Sequence, residues 1–241
     1  MSNKDKIWGR ATRTSEADQG HTWLSVSDLM AGLMMVFLFI AIALMRYGLS
    51  ERDRVRDIAL TYQASQGALY AALQQEFAAD LPRWMAHLDQ ETLSITFNAP
   101  EVLFALGSTE LSSEFQLILD DFFPRYLDIL LDFSESIDEV RVEGHTSSDW
   151  GQGFRTEEAY FNNMRLSQGR TRSVLEYVYH QESHSPEQQD WIKQQVAAVG
   201  FSSSRLILDQ QGEEDAQRSR RVSFRVITNA EQQIRQILAA D

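Results

Sequence analysis

The sequence predicts an α+β protein that carries one membrane-spanning helix near its N-terminus. An uncharged, apolar segment of 17 residues runs from Leu29 to Met45. Beyond Pro82, short alternating apolar segments are interspersed with longer segments of helical periodicity. The 241 residues suffice for one compact domain in addition to this helix and its connection. We therefore expect helices packed on one face of a small mixed β-sheet.

The apolar segment has the length and the flanking residues of a membrane anchor. About 20 residues span a bilayer, and the segment reaches 23 residues if it begins at Trp23 and includes Asp28. Trp23 and the pair Arg46–Tyr47 are typical of membrane interfaces. Because no small-residue cleavage site follows, we expect a retained helix over residues 23–47, preceded by a tail over residues 1–22, and not a signal peptide. Four basic residues precede the segment and four follow it closely, so charge leaves the orientation open.

Residues 48–90 are predicted to form a helical linker. Apolar or small residues recur at spacings of three and four, and Gln66 interrupts them; they are Val55, Ala59, Tyr62, Leu69 and Leu73. Two copies of this helix could pair as a parallel coiled coil, or one helix could pack on the domain that follows. The sequence favours neither alternative.

The domain is predicted to occupy residues 91–229, with a polar helix at 230–241. Leu93, Ile95 and Phe97 alternate with polar residues, which predicts a strand. Further strands are expected at 102–105, 137–143 and 221–227, and helices at 115–133, 163–179 and 187–199. Pro124 is expected to kink or divide the first of these helices.

Charge and composition exclude several classes of function. A net charge of −13 would repel nucleic-acid phosphates, so we expect no nucleic-acid partner. The chain contains no cysteine and therefore has no thiol nucleophile or disulfide. His145 lacks an accompanying nucleophile or paired metal-ligand motif, and we expect it to be structural. The Gly-x-Gly sequence at residues 151–153 is expected to form a turn. We predict neither an enzyme nor a cofactor.

Asp28 is the most informative residue of the apolar segment. An ionised carboxylate inside a bilayer costs several kcal/mol unless it is paired or neutralised, so such groups usually serve an ion pathway. Position alone allows another interpretation, in which Asp28 caps the helix at the membrane interface together with Ser25 and Ser27.

The sequence around Asp28 resembles a known family. The string W-L-S-V-S-D-L-M-A-G-L-M-M-V-F-L-F-I, from Trp23 to Ile40, is similar to the start of the transmembrane helix of MotB flagellar stator proteins. This resemblance implies that Asp28 is the ion carrier. It also implies that two such helices lie inside a ring of MotA-type subunits, so we expect a homodimer.

Four segments of the domain resemble OmpA-like peptidoglycan-binding domains, which MotB also contains. In chain order they are V-L-F-A-L-G-S-T-E-L (102–111), V-E-G-H-T (142–146), N-M-R-L-S-Q-G-R (163–170) and R-S-R-R-V (218–222). The resemblance covers roughly residues 93 to 228. It implies an OmpA-like domain that binds the cell wall.

Asn163, Leu166 and Arg170 are the expected wall-binding residues of the predicted helix, together with Thr146. Their spacing of i, i+3 and i+7 places them along one side of a helix. An arginine can grip a stem-peptide carboxylate with two hydrogen bonds, although without the motif a core leucine and a surface ion pair would be the better interpretation. The family aspartate after the threonine, which holds the ammonium group of the stem, is Ser147 here. We expect Asp149 to replace it, or that contact to be missing.

A sequence that combines these two sets of motifs most closely resembles ZorB, the family of MotB-like subunits in Zorya anti-phage defence systems. This resemblance implies an ion-conducting stator subunit that is anchored to the wall, with protons as the expected ion. The partners expected are a ring of MotA-like (ZorA-like) subunits, taken to be a pentamer, and peptidoglycan. The N-terminus would be cytoplasmic and the domain periplasmic, at the bacterial inner membrane. The alternative is a passive tether between membrane and wall, which Asp28→Asn should leave functional.

Overall fold

The computed structural model describes residues 16–98, 100–151 and 153–229. The chain divides into two units, Met1–Asp57 and Ile58–Asp241, and each is described by itself. Helix α1 (Glu16–Phe77) begins in the first unit. Between Leu29 and Leu49 its large apolar side chains are exposed. Within the described ranges, Asp28–Ser50 is the one helical segment that is long and apolar enough to cross a membrane.

The second unit is built on a five-stranded mixed sheet of order β1-β2-β5-β3-β4. The strands are β1 (Ala86–Asp89), β2 (Ser94–Phe97), β3 (Ile137–His145), β4 (Val196–Gly200) and β5 (Arg221–Thr228). The helices are α2 (Pro100–Leu103), α3 (Ser113–Asp132), α4 (Thr156–Tyr179), α5 (Pro186–Gln195) and α6 (Ala216–Ser219). Neighbouring strands are antiparallel except for β3 and β4, which are parallel. This is the α+β class that the sequence predicts.

An aromatic cluster forms the centre of the core. The ring of Phe122, on α3, lies 5.2 Å from that of Phe77, 5.4 Å from that of Phe97 and 5.1 Å from that of Phe224, between centroids. Phe97 and Phe224 come from the adjacent strands β2 and β5. Rings at these separations are mutually attractive in addition to the area they bury. The cluster therefore joins the sheet to both α3 and the end of α1.

The last turns of α1 belong to this core. Leu69, Leu73 and Phe77 are fully buried, and Arg125 of α3 forms an ion pair with Glu76, with 2.6 Å between Nε and Oε1. The two leucines therefore pack on the domain and do not form an exposed coiled-coil seam. This finding favours the second of the two alternatives that the sequence leaves open for the linker helix.

Some predicted elements are wrong. Val102 and Leu103, expected in a strand, lie in α2, where Pro100 at the first helical position has a backbone angle suited to a helix. Of the residues predicted for this strand, Phe104 forms an isolated bridge, to Leu111. Pro124 does not divide α3, which is continuous and packed on the sheet through buried residues on both sides of it.

The sequence also misses two strands and shifts one helix start. β1 is not predicted, and β4 is placed at the end of a helix because its Val-Ala-Ala-Val sequence does not alternate; pairing with β3 overrides that local preference. Helix α4 begins at Thr156, seven residues before the predicted start, so the loop that precedes it is shorter than expected. The helix predicted at 230–241 and residues 1–15 of the predicted tail lie outside the described residues.

Candidate functional site

Two glycines allow α4 to lie close over the ends of β3 and β4. Gly144 and Gly200 are register partners in these strands. A Cβ atom at Gly144 would lie 2.9 Å from the carbonyl oxygen of Ser167, and one at Gly200 would lie 2.5 Å from the amide nitrogen of Gln168. Real Cβ atoms do not approach backbone atoms so closely. The absence of side chains here brings the polar residues of α4 next to the end of β3.

Arg170 extends from α4 over the loop that follows α2. Its Nε donates to the carbonyl oxygen of Ser108 at 2.9 Å, and its Nη2 donates to that of Ala105 at 3.4 Å. Its Cζ lies 4.7 Å from the centroid of the Phe104 ring, which is within cation–π range. These contacts fix the guanidinium plane and use two of its five N–H donors. The remaining donors are free to bind another acceptor.

The pocket that Arg170 lines is basic. Burial, and then the positive charge of Arg220, lower the pKa of Arg170 to about 10, so the group stays charged at neutral pH. In the part of the chain that the structure describes, neither Arg170 nor Arg220 has a carboxylate in salt-bridge range. A bound carboxylate would relieve the repulsion between the two cations. The other polar side chains that line the pocket are His145, Ser167 and Arg221.

Asn163 holds the loop that follows β3. Its buried Nδ2 donates to the carbonyl oxygens of Ser147, at 3.1 Å, and Asp149, at 3.4 Å. The amide nitrogen of Thr146 donates to the carbonyl oxygen of Ser202 at 3.0 Å. The hydroxyl of Thr146 is buried, and no described residue hydrogen-bonds to it. Asn163 therefore shapes the site through the loop, and Thr146 retains an unused polar group beside it.

His145 lines the pocket and is packed against neighbouring side chains. Its ring stacks on Phe201, with centroids 5.2 Å apart, and its Nε2 lies 3.6 Å from Oε2 of Glu143. Burial lowers the pKa of His145 despite the nearby carboxylate, so the ring is neutral near pH 7. The pKa of Glu143 is also lowered: burial opposes this shift, but contact with His145 and the charges of Arg205 and Arg225 outweigh it. Tight packing on both sides suits a structural histidine.

Two carboxylates with different surroundings lie at the loop after β3, one on the loop itself and one from a distant segment. Asp149 is exposed, and its Oδ1 accepts from the amide nitrogen of Gly151 at 2.8 Å, within its own turn. Glu214 reaches the loop from the segment before α6. One of its oxygens accepts from the amide nitrogen of Ser148 at 2.9 Å, and the other accepts from the Ser148 hydroxyl. Glu214 is thus fixed to the loop by a residue distant in the chain.

Asp28 is the acidic residue of the candidate membrane segment. Helix α1 begins at Glu16, so Asp28 lies about three turns inside the helix and is not its N-cap. Its side chain is exposed, as are Leu29 and Met30 beside it. No ion pair or hydrogen bond to Asp28 is present among the described side chains. An unpaired carboxylate on an apolar helix surface can exchange protons if it faces an ion pathway.

The structure therefore groups the predicted wall-binding residues into two neighbouring sets. Arg170 lines the basic pocket, whereas Asn163, Thr146 and Asp149 belong to or hold the adjoining loop. Leu166 is half-buried on α4. No group of three or more potential metal ligands occurs within the described ranges.

Comparison with known proteins gives one relative over almost the full chain. The sequence is 54% identical over 234 residues to the Zorya protein ZorB of Escherichia coli, a match that covers 97% of this chain and 99% of that protein. The chain belongs to the ZorB family. The resemblance to ZorB that its motifs indicate is thereby confirmed. No family model matches the sequence.

Similar solved structures share little sequence with this ZorB-family chain. A MotB-like protein from Desulfovibrio vulgaris is 20% identical with a TM-score of 0.47, over 68% of this chain and 91% of that chain. The cell wall anchor of the type VI secretion system from Pseudomonas aeruginosa is 21% identical with a TM-score of 0.44, over 65% and 97%. The family assignment comes from the Escherichia coli relative.

Two residues of this ZorB-family chain, one that lines the pocket and one that binds the adjoining loop, are not identified from the sequence. Arg220 lies within the R-S-R-R-V segment, which in the sequence serves only to identify the family and not to predict a site residue. Glu214 has no recognisable motif, and its hydrogen-bond partner Ser148 lies 66 residues away in the chain. Only the folded structure brings these groups to the pocket and its loop.

Proposed function

We propose that this chain is the ion-conducting, wall-anchored stator subunit of a membrane motor that acts in anti-phage defence. The observation that carries the proposal is the position of Asp28, an unpaired carboxylate on the apolar surface of the candidate membrane segment. A tether has no use for a charge whose insertion costs several kcal/mol. Membership of the ZorB family supports the link to Zorya systems.

In this proposal the chain crosses the bacterial inner membrane once, with a cytoplasmic N-terminus and a periplasmic domain. It forms a parallel homodimer, because each helix carries one Asp28 and an alternating mechanism needs two carriers. The dimer lies inside a ring of five MotA-like (ZorA-like) subunits. Protons passing by way of Asp28 would drive rotation of the ring, and no enzymatic group or cofactor takes part.

The domain anchors this dimer to peptidoglycan. Among the described residues, two acceptors bind the Arg170 guanidinium, which leaves further donors, and the lining of its pocket contains no carboxylate. The peptide stems of peptidoglycan carry free carboxylates, which a guanidinium binds with two parallel hydrogen bonds. Thr146 and Leu166 would contribute further contacts, while Asn163 holds the loop and Asp149 lies on its exposed side.

Replacing Asp28 by Asn tests the motor part of the proposal. Asn keeps the size and an acceptor but cannot bind and release a proton in the working pH range. We expect Asp28→Asn to assemble with its ring partner and to lose phage protection, down to the level of cells that lack the gene. Efficiency of plating measures protection, and co-purification from detergent measures assembly.

Asp53→Asn is the matched control, since it makes the same chemical change on α1 outside the candidate membrane segment. It should protect like the wild type. If Asp28→Asn assembled and protected equally well, proton transfer through this residue would be excluded and the passive tether would replace the motor. Single-molecule photobleaching that counted mainly one copy per complex would contradict the homodimer.

A further inference from the structure

The loop after β3 is clamped from two sides at Ser148. Glu214 accepts from the amide nitrogen and from the hydroxyl of Ser148. Asn163 binds the carbonyl oxygens of Ser147 and Asp149, the residues on either side of it. The Glu214 carboxylate is therefore fixed in position, and the loop cannot move away from it without breaking these hydrogen bonds.

The clamp lies close to the basic pocket. Ser148 follows His145, which lines the pocket, by three residues, and three residues span at most about 11 Å. Glu214 is also close in the chain to the pocket residue Arg220, because only Asp215 and the four-residue helix α6 lie between them. Glu214 is therefore bound to the loop that directly follows His145, a residue of the pocket that Arg170 and Arg220 line.

The remaining hydrogen-bonding capacity distinguishes Glu214 from its neighbours. Each oxygen of its carboxylate accepts one hydrogen bond from Ser148, and a carboxylate oxygen can accept two. Ser147 is uncharged and buried. Asp149 is exposed, and only one of its carboxylate oxygens accepts a described hydrogen bond, within its own turn, whereas both oxygens of Glu214 are bound to Ser148.

We propose that Glu214 binds the ammonium group of a zwitterionic ligand whose carboxylate is held by Arg170. The ligand class is a diamino acid of a peptide stem, which carries both charges on one residue. This proposal rests on wall binding by the same pocket. In this proposal Glu214, from the segment before α6, supplies the negative charge that Ser147 lacks.

Sacculi with blocked amines test this assignment. The full-length protein in detergent is sedimented with intact sacculi and with sacculi whose free amines have been acetylated. Acetylation removes the positive charge of the stem amine, so wild-type affinity should fall roughly tenfold, the loss expected for a charge-assisted contact. Glu214→Gln retains an acceptor for Ser148 and should bind both preparations at that same reduced level. Glu213→Gln, which removes the same charge from the adjacent exposed residue, should behave like the wild type.

Other results would overturn the assignment. If acetylation weakened Glu214→Gln as much as the wild type, Glu214 would only position the loop. If Asp149→Asn were the variant insensitive to acetylation, Asp149 would hold the ammonium group. If neither the wild type nor Arg170→Ala bound intact sacculi above background, wall binding itself would fail, an outcome distinct from both.

Discussion

The two units differ in how much of their apolar surface they bury. In the first, large apolar side chains such as Leu33 and Phe37 are more than half exposed. In the second, residues of the same kind, such as Leu73 and Phe122, are fully buried among other side chains. The second unit therefore covers its own apolar surface, whereas the first needs an apolar surrounding, which a bilayer or a ring of partner helices supplies.

This difference determines how a functional charge is recognised in each unit. On the apolar surface of the first unit any charge is costly, so Asp28 is conspicuous without knowledge of its contacts. On the polar surface of the second unit charges are common, so Arg170 is recognised through its motif, and the structure adds that it lacks a described carboxylate partner in a buried setting. Composition is enough to single out Asp28, whereas Arg170 needs a family motif and the fold.

Truncating one leucine in each unit gives the largest expected contrast. Leu73→Ala removes a fully buried side chain and leaves a cavity, so the free energy of unfolding of the domain should fall by about 2–5 kcal/mol. Leu33→Ala, in the exposed apolar segment, should change it by less than about 0.5 kcal/mol. Urea denaturation of the full-length protein in detergent, followed by tryptophan fluorescence to which buried Trp84 contributes, measures both. Equal losses would show that the two units fold as one.

Arg170→Ala should give a smaller effect that combines binding and stability. Affinity for sacculi should fall about tenfold or more, since a charge-assisted pair is lost. Stability should fall by about 1–2 kcal/mol, because the hydrogen bonds to Ser108 and Ala105 disappear. Sedimentation with sacculi and urea denaturation measure the two quantities. Arg172→Ala, at an exposed position of the same helix, should change neither. Unchanged binding by Arg170→Ala would remove it from the wall site.

The pH dependence contributed by His145 should be the smallest effect. Burial lowers its pKa in the folded state below the ordinary 6.5, so the unfolded chain binds this proton more readily. Its contribution to stability is therefore complete above pH 6.5 and is lost as the pH falls below that value. His145→Gln should reduce the loss of stability between pH 7.5 and about 5.5 by on the order of 1 kcal/mol. Burial also lowers the pKa values of His87 and His184. These two residues should therefore account for part of the pH-dependent loss of stability that remains in the variant. If the variant and the wild type lost the same stability over this pH range, a group other than His145 would cause the pH dependence.

The parts of the molecule that the sequence predicts are those with local signals. The α+β class follows from periodicity, and the apolar segment and Asp28 follow from composition. Arg170 and Asn163 are predicted from a motif on one helix. The sequence does not predict that Arg170 contacts the loop after α2 or that Asn163 contacts the loop after β3. The apolar segment at 102–105 and the Val-Ala-Ala-Val sequence of β4 mislead because local preference and final structure disagree there.

The remaining features depend on contacts between distant segments. Whether Leu69 and Leu73 face a second copy or the domain is decided by the Phe122 cluster, which forms only when α3 and the sheet are in place. The clamp on Ser148 likewise needs Glu214, which has no pattern around it that marks it. Such pairings arise from tertiary packing, and no sequence window contains both partners.

Gly144 and Gly200 have a consequence for the genetics of this protein. Any side chain at either position would act as a wedge under α4, and a rigid helix transmits such a displacement to Asn163 and Arg170 together. Under the proposed function, an allele of this kind would lose anchoring while every proposed wall-binding group stayed chemically intact. A screen for suppressors of excessive wall attachment should therefore recover substitutions at these two hidden positions alongside those in the pocket itself.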